Sequence, residues 1–326
     1  MRLAVLVTST TVMDPTWTTV HLIHAAAQLG HTVRLCEPAD LEITAGGRLV
    51  MRAWSLDEPI ADRLELCRRI TTRDLPRRFT ELSSCERLFI RVNPLGPDTL
   101  HAAMIAQEQG VVVVNDPAGI ARTRSKAWLA TQAGVPRPAT IVTSSRASIA
   151  AFAENQRGAI VVKPASASGG RGVALVPPRR LDLLDQAVDQ ARSVAHGGPV
   201  VVQEYLPEAV DGEKRLFWVD GELLGAYLRR QGPGEFRHNL RQGGQPCPVP
   251  IEATDEAIAA VIGPRLLANG IRIAGLDIIG GRLVEVNTLN PGGVHWSDAL
   301  GSAPLGTVAT QAVRLLTGPP PALSQE

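Results

Sequence analysis

One stretch, residues 274–291, limits the possible folds of this chain more than any other, because it predicts a β-hairpin with acidic side chains on one face. Its sequence is AGLDIIGGRLVEVNTLNP, in which two apolar segments flank a Gly-Gly turn signal. If the hairpin pivots near Gly281, Asp277 and Glu285 are cross-strand neighbours. Side chains alternate along a strand, so the two carboxylates share a face with Asn287 and lie roughly 5 Å apart.

Two carboxylates between apolar strands are unfavourable, because like charges repel each other and burial removes their hydration. A hard divalent cation removes that cost. A small set of oxygen ligands suits Mg²⁺, which keeps some of its waters and shares phosphate oxygens. We therefore predict that Asp277, Glu285 and Asn287 are metal ligands, for Mg²⁺ or for Mn²⁺ in its place. The alternative is a hairpin whose carboxylates both face solvent.

Length and composition exclude several classes of protein. At 326 residues the chain can hold two or three domains, each with its own core. A net charge of +1 and an aromatic content of 4% argue against a nucleic-acid partner, and no apolar run is long enough to cross a bilayer. The N-terminus lacks a signal-peptide pattern, and the four cysteines are far apart, with no CxxC. We expect a cytoplasmic protein with reduced cysteines and without a membrane partner.

Lysine is rare in this chain, which makes its positions informative. Of the 33 basic residues, 30 are Arg, and the lysines are Lys126, Lys163 and Lys214. An ammonium group is a more compact charge than a guanidinium group. The three lysines are therefore candidates for sites that need a slim cation, with chance retention as the alternative.

Residues 1–120 alternate strand and helix patterns, which predicts a mostly parallel sheet covered by helices. No GxGxxG follows the first strand, so the dinucleotide-binding fingerprint is absent. Arg91 stands where the strand ERLFIRVNP ends, which is a usual place for a ligand-facing side chain in open α/β sheets. An ordinary surface arginine is the alternative.

Residues 121–200 predict a smaller unit in which a glycine-rich loop joins two strands. The segment is AIVVKPASASGGRGVALVP, with Lys163 at the end of its first strand. Small residues let backbone N–H groups approach an anion, so Ser168, Gly169 and Gly170 are candidate phosphate-binding residues. A flexible hairpin tip is the alternative.

The rest of the chain forms a third predicted unit and a tail. Residues 201–317 contain the acidic hairpin, a second pair of strands and two helices. The Pro-rich residues 318–326 are predicted to be disordered.

These segments together resemble the bacterial glutathione synthetases of the ATP-grasp superfamily. The resemblance covers nearly the whole chain and is strongest in VVKPASASGGRG, VVQEYLPEAVDGEKR, GEFRHNLRQGG and IGPRLLANGIRIAGLDIIGGRLVEVN, and weaker in DLEITAGGRL. It implies the α/β (α+β) fold class: an N-terminal parallel-sheet pre-ATP-grasp domain (1–120), a small lid subdomain (121–200) and a C-terminal antiparallel-sheet subdomain with the metal site (201–317). ATP would be held between the last two.

The resemblance also implies roles for individual residues. Lys126 and Lys163 would contact ATP, and Glu213, where the family usually has Asp, would hold the ribose. Arg215 and Arg230 would be catalytic, facing the triphosphate and the reacting carboxyl group. The other implied ATP-binding residues are Gln203, Glu204, Tyr205, Leu206 and Asn239. The candidate substrate-binding residues are Arg237 and Asn287 from the resemblance, Arg91 from its place at a strand end, and Gly292 and Gly293, which would allow close backbone approach.

The implied reaction is the ATP-dependent joining of a carboxylate to an amine through an acyl phosphate, on amino-acid or peptide substrates. One segment departs from the family: a Ser-Pro-Thr type sequence usually follows the metal-binding Asn, and here the sequence is TLNPGGVHWSDAL. His295 and Trp296 add bulk on the acceptor side. We therefore expect altered substrates, with γ-glutamylcysteine and glycine as the alternative pair.

Other classes of function stay open from the sequence. A non-catalytic ATP-binding switch would use lid closure without chemistry, and a kinase acting on a small acid would stop at the acyl phosphate. Relatives in the family suggest a homo-oligomer, either a dimer or a tetramer.

Overall fold

The computed structural model describes residues 1–167, 169–232, 234–238, 240 and 243–321. Two predicted ATP-binding residues, Ser168 and Asn239, lie outside the described residues, as do residues 322–326 of the predicted tail. Across the described ranges, no helix has both the length and the apolar character that a membrane span requires.

The N-terminal part is built on a seven-stranded sheet with a parallel centre. Its strands are β1 (Arg2–Val7), β2 (Thr32–Cys36), β3 (Leu41–Ile43), β4 (Leu49–Leu56), β5 (Arg77–Glu81), β6 (Arg87–Arg91) and β7 (Val112–Val114). Parallel pairings join β2, β1, β6 and β7 in that order, and antiparallel pairings add β4, β3 and β5 at one side. The helices are α1 (Thr18–Gln28), α2 (Arg63–Thr71) and α3 (Pro97–Glu108), and short 3-10 turns span Pro38–Asp40 and Leu82–Ser84.

A four-stranded antiparallel sheet follows, in the order β10-β9-β11-β8. The elements of this region are α4 (Pro117–Thr123), α5 (Lys126–Ala130), β8 (Thr140–Thr143), α6 (Arg146–Asn155), β9 (Ile160–Pro164), β10 (Ala174–Val176), α7 (Leu181–Val194) and β11 (Val200–Glu204). Because β11 pairs with both β8 and β9, this sheet continues beyond residue 200, where the sequence predicts a boundary.

The C-terminal sheet is antiparallel throughout and has the order β14-β13-β12-β15-β16. Its strands and the remaining helices are β12 (Glu213–Val219), β13 (Glu222–Arg230), β14 (Gln245–Cys247), α8 (Ala253–Ala268), β15 (Ile273–Ile279), β16 (Arg282–Asn287), α9 (Val294–Ala299) and α10 (Thr307–Thr317), with a 3-10 turn at Pro207–Asp211. The α/β (α+β) class with one parallel-centred and two antiparallel sheets is the class that the sequence predicts.

The packing couples the first sheet to the third and leaves the second on a core of its own. Each of two buried clusters mixes residues of both sheets, for example Leu6 with Trp218 and Val5 with Phe217. The side chain of Asn115, just after β7, donates to the carbonyl oxygens of Ile273 and Thr288 at 2.8 Å. The four-stranded sheet packs against α6 and α7 in a separate cluster. The smaller sheet is therefore the part best able to shift as a unit.

Candidate active site

The acidic hairpin forms as the sequence predicts. Asp277 pairs with Glu285 across β15 and β16, and Gly275 pairs with Asn287. The turn residues Gly280 and Gly281 have φ values of 52° and 69°, a conformation that glycine adopts without strain. The predicted register of the two carboxylates is confirmed.

Asp277 is buried, with 4% of its surface exposed, so the solvated-hairpin alternative is wrong. Arg215 forms a bidentate ion pair with Asp277, in which Nη2 lies 2.8 Å from Oδ2. Arg229 Nη2 lies 2.7 Å from Oδ1 of the same carboxylate. The amide of Asn287 donates to Oδ2 at 3.0 Å. Burial would raise the pKa of Asp277, but the two guanidinium groups outweigh burial and hold that pKa below its usual range.

The other carboxylate, Glu285, is partly exposed and faces lysines. Lys126 Nζ lies 3.4 Å from Glu285 Oε1 and donates to the carbonyl oxygen of Ala167 at 2.6 Å. Lys163 is 7% exposed, and its Nζ donates to Gln203 Oε1 at 2.9 Å. Burial lowers the pKa of Lys163 to about 8, with Lys126 adding to the shift and Glu285 opposing it. Two of the rare lysines therefore lie beside the acidic hairpin.

The donor set fits a Mg²⁺ ion that shares its coordination with a ligand. Asp277, Glu285 and Asn287 present oxygen atoms on neighbouring positions of one hairpin face. No cluster of three or more His, Cys, Asp or Glu side chains suited to a metal occurs within the described ranges. A cation here would complete its shell with water and phosphate oxygens, as Mg²⁺ does at nucleotide sites.

These residues lie in a cleft of about 1080 Å³ to which all three sheets contribute. Gly169 and Gly170 of the glycine-rich loop line it, both with positive φ, and the carbonyl oxygen of Gly170 accepts a hydrogen bond from Arg237 at 3.0 Å. The predicted adenine-binding residues also line it: Gln203, Glu204, Tyr205 and Leu206. The cleft thus brings together the residues expected around ATP.

One predicted catalytic residue does not face this cleft. The side chain of Arg230 is exposed and is absent from the described cleft lining, whereas its neighbour Arg229 is 8% exposed and lines the cleft. Arg229 pairs with Glu213 across the strands, contacting its carboxylate as well as Asp277. Side chains alternate along β13, so only one of two consecutive arginines can point inward. The expected position of Arg230 is corrected to Arg229.

Two further predicted positions have defined contacts. Glu213 is held by Arg229, and its Oε2 lies 3.7 Å from His238 Nδ1. Lys214 points away from the cleft and donates to Glu252 at 2.6 Å and to Asp255 at 2.8 Å, at the start of α8. Lys214 therefore has a structural role at the start of α8, whereas Lys126 and Lys163 lie beside the acidic hairpin.

The remaining predicted residues lie at the other end of the cleft. Arg91 is 5% exposed; its Nε donates to Thr19 Oγ1 at 3.1 Å and its Nη2 to the carbonyl oxygen of Pro291 at 2.9 Å. The backbone N–H of Gly293 donates to Thr18 Oγ1 at 3.0 Å. The carbonyl oxygen of Gly292 faces Arg215 Nη1 at 3.3 Å, which links this end to the hairpin.

We call the two ends of the cleft the carboxylate end (Asp277, Glu285, Asn287, Arg215 and Arg229) and the aromatic end (Val12, Trp17, Arg91, His295 and Trp296). The rings of His295 and Trp296 meet edge to face, with centroids 4.8 Å apart. Val12, Trp17 and Tyr227 also line the cleft and were not predicted from the sequence. Tyr227 lies on the face of β13 that carries Arg229, so the β-bulge between Phe217 and Trp218 hid both residues, and residues 8–17 carry no motif that marks them.

The comparisons with known proteins agree with this geometry. The family model for the prokaryotic glutathione synthetase N-terminal domain matches residues 1–121, and the model for the prokaryotic glutathione synthetase ATP-grasp domain matches residues 129–300. A glutathione synthetase of Synechococcus elongatus is 35% identical over 97% of this chain and 99% of its own length. One of Synechocystis is 31% identical over 94% of this chain and 97% of its own length.

The fold also recurs in solved structures. The crystal structure of D-cycloserine synthetase DcsG aligns with a TM-score of 0.66, covering 96% of this chain and 99% of that one, at 18% identity. That identity supports the shared fold alone. The two family models and the relatives, taken with the cleft, show that the chain belongs to the prokaryotic glutathione synthetase family and has its ATP-grasp domain.

Proposed function

We propose that this protein is an ATP- and Mg²⁺-dependent ligase that joins a carboxylate to an amine and forms ADP and phosphate. One observation carries the proposal: buried arginines, two lysines and the paired carboxylates Asp277 and Glu285 converge on one cleft. Transfer of a phosphoryl group between anions is catalysed mainly by positioning and charge neutralisation, and this is the set of groups that such a step needs.

In the first step, an oxygen of the substrate carboxylate attacks the γ-phosphorus of ATP, and ADP leaves. Lys126 and Lys163 neutralise phosphate charge, and a bound Mg²⁺ would add Lewis-acid neutralisation between phosphates. Arg229 and Arg215 hold Asp277 on one side and face the cleft on the other, where the transferring group would pass. The product is an acyl phosphate, in which phosphate has become a good leaving group.

In the second step, the amine attacks the acyl carbon and phosphate leaves. The acyl phosphate reacts readily with water, so the cleft must be closed during its lifetime. The hydrogen bond from Arg237 to Gly170 favours such closure, because it ties the glycine-rich loop across the cleft. No covalent enzyme nucleophile is required. The described cysteines are free, and burial raises the pKa of Cys36, Cys67 and Cys85, which makes them poor nucleophiles.

The test measures ADP formation by the full chain with Mg²⁺ and ATP, against pools of acids and amines that include γ-glutamylcysteine and glycine. We expect turnover only when an acid and an amine are both present, with the coupled product detected by mass spectrometry. Hydroxylamine should trap the acyl phosphate as a hydroxamate when the amine is omitted.

Each alternative has its own outcome in the same assay. Coupling of γ-glutamylcysteine with glycine as the preferred pair would identify a glutathione synthetase, which is the name of the curated relatives. Turnover that needs an acid but never an amine would indicate a kinase, and ATP binding with no dependence on either would indicate a switch. Either of the last two results contradicts the proposal.

A cytoplasmic location and a homo-oligomer, either a dimer or a tetramer, remain predictions. The oligomer is tested by light scattering of the purified chain at several concentrations; a monomer throughout would contradict it.

A further inference from the structure

We propose that the aromatic end of the cleft binds the amine substrate as an α-amino acid with an aromatic or large aliphatic side chain. This inference rests on the proposed function, because it assigns the acceptor of that reaction. Three features support it: the buried Arg91, the exposed apolar side chains of Val12 and Trp17, and the stretch of cleft along Gly292 and Gly293 that leads to the carboxylate end.

Arg91 supplies a site for the carboxylate of the amino acid. Its Nη1 is buried and has no hydrogen-bond partner among the described residues, and the described ion pairs include no carboxylate beside Arg91. Burial lowers the pKa of Arg91 to about 9, which reflects the cost of a cation without a counter-ion. Arg91 lines the cleft, so a carboxylate entering there would supply that counter-ion.

The apolar wall is next to Arg91. Val12 and Trp17 are 61% and 39% exposed, and both line the concave cleft. Trp17 directly precedes Thr18 and Thr19, the residues that bond to Gly293 and Arg91. Apolar side chains left uncovered in a concave site are the surfaces that a ligand removes from water.

The cleft is also lined by aromatic rings that pack on one another. Trp296 meets the ring of His295 edge to face, and His295 in turn lies 5.4 Å from the ring of His21. His21 is 1% exposed, and burial, with Arg63 adding to it, lowers its pKa to about 3, so it is a neutral packing partner. These rings line the same cleft as Trp17 and offer a flat or bulky side chain a contact surface that the single hydrogen atom of glycine cannot use.

Gly292 and Gly293 connect this pocket with the reacting groups. A Cβ atom at Gly292 would meet only Thr18 Oγ1, at 3.9 Å, so the passage is open there. The carbonyl oxygen of Gly292 faces Arg215. An amino acid held by its carboxylate at Arg91 and by its side chain at the wall can direct its amine along this passage. The nitrogen lone pair then forms the new C–N bond, the C–O bond to phosphate breaks, and the surplus N–H proton passes to the departing phosphate.

The experiment measures binding of single amino acids by calorimetry, using the full chain saturated with Mg²⁺ and a non-hydrolysable ATP analogue. We expect L-phenylalanine, L-tryptophan or L-leucine to bind at least about tenfold more tightly than glycine, since each buried methylene contributes a several-fold gain. Trp17→Ala should remove most of that preference while leaving the affinity for the ATP analogue unchanged. Phe79→Ala is the matched control, because Phe79 is 59% exposed on β5 and does not line the cleft.

A second variant tests the carboxylate site. Arg91→Gln should weaken L-phenylalanine binding, and phenylalaninamide, which lacks the carboxylate, should bind weakly to the unaltered protein. The inference is overturned if glycine binds as tightly as the large amino acids, if none of them binds, or if Trp17→Ala and Phe79→Ala behave alike. Failure of the ATP analogue to bind would instead contradict the proposed function, so the two failures are distinguishable.

Discussion

The two ends of the cleft satisfy their charges in opposite ways. At the carboxylate end, Asp277 is held by Arg215, Arg229 and Asn287, so each buried charge has a partner within the protein. At the aromatic end, Arg91 has no carboxylate beside it among the described ion pairs, and Trp17 is left partly uncovered. The buried charge of Asp277 is therefore balanced within the protein, whereas the buried charge of Arg91 lacks a counter-ion in the described part of the chain.

The two arrangements suit two different tasks. A preorganised set of charges serves phosphoryl transfer whichever acid is activated, since the electrostatics act on the phosphate. Selection among amines depends on the shape and polarity of the pocket that receives them. A resemblance to glutathione synthetases therefore bears more directly on the carboxylate end than on the choice of amine at the aromatic end.

The largest expected effect comes from Asp277→Asn, which removes the shared partner of two buried guanidinium groups. We expect the free energy of unfolding to fall by about 3–5 kcal/mol, because breaking a buried ion pair leaves uncompensated charge. The Mg²⁺ concentration needed for ADP formation should also rise. Urea denaturation and a metal titration measure the two effects.

Glu285→Gln is the matched variant for that experiment. Glu285 is partly exposed and pairs with Lys126 alone among the described ion pairs, so its loss should cost less than about 1 kcal/mol of stability while still raising the metal requirement. Equal stability losses in the two variants would contradict the contrast between the carboxylates. An unchanged metal titration in both would show that the hairpin is not the metal site.

The next effect compares two consecutive arginines. Arg229→Ala should lower kcat/KM by about 10²–10³, the usual cost of removing a preorganised donor from a reacting site. Arg230→Ala should stay within about twofold, because substitutions of exposed side chains have small effects. Steady-state kinetics with the preferred substrates decide between them. The reverse order of effects would restore the assignment made from the sequence.

The same two arginines show where prediction from sequence stops. The turn places Val219 opposite Glu222. If the pairing continued regularly from there, Arg215 would lie opposite Ala226, and Arg230 would share the sheet face of Arg215. A β-bulge between Phe217 and Trp218 shifts the register by one residue, so Arg215 lies opposite Tyr227. A bulge reverses the facing of every residue beyond it and leaves no mark in the sequence pattern here.

Other parts of the site were predictable for physical reasons. The Gly-Gly turn and the pairing of Asp277 with Glu285 agree with the prediction, although a β-bulge between Asp277 and Ile278 is needed to produce that register. Arg91 follows from its position at a strand end. The apolar wall of Val12 and Trp17 was not predictable, although the sequence had placed His295 and Trp296 on the acceptor side. Only tertiary packing brings the loop before α1 to the start of α9, where Thr18 bonds to Val294.

A smaller effect concerns Lys163 and pH. The protonated ammonium attracts phosphate, and its pKa of about 8 means that the charge is present at pH 7 and is lost as the pH rises through 8. The affinity for an ATP analogue should therefore fall above pH 8, by at most about tenfold per pH unit. Lys163→Met should bind weakly at every pH and lose most of this slope. Parallel pH profiles for the two proteins would exclude Lys163 as the titrating group.

The smallest effect lies where the two ends meet. Gly293 has a φ of 131°, and a Cβ atom there would lie 3.0 Å from Tyr227 Cε1, so Gly293→Ala should cost about 1 kcal/mol of stability or slightly more. At Gly292 a Cβ atom would meet only Thr18 Oγ1, at an ordinary contact distance of 3.9 Å, so Gly292→Ala should cost less than about 0.5 kcal/mol. Denaturant midpoints measure both. We also expect Gly293→Ala to weaken binding of the amine and to leave ATP binding intact. The reason is that Gly293 packs on Tyr227 and bonds to Thr18, away from the lysines. That result would mean that the backbone at Gly293 acts on the aromatic end alone. Loss of ATP binding would mean that the two ends are coupled through this backbone.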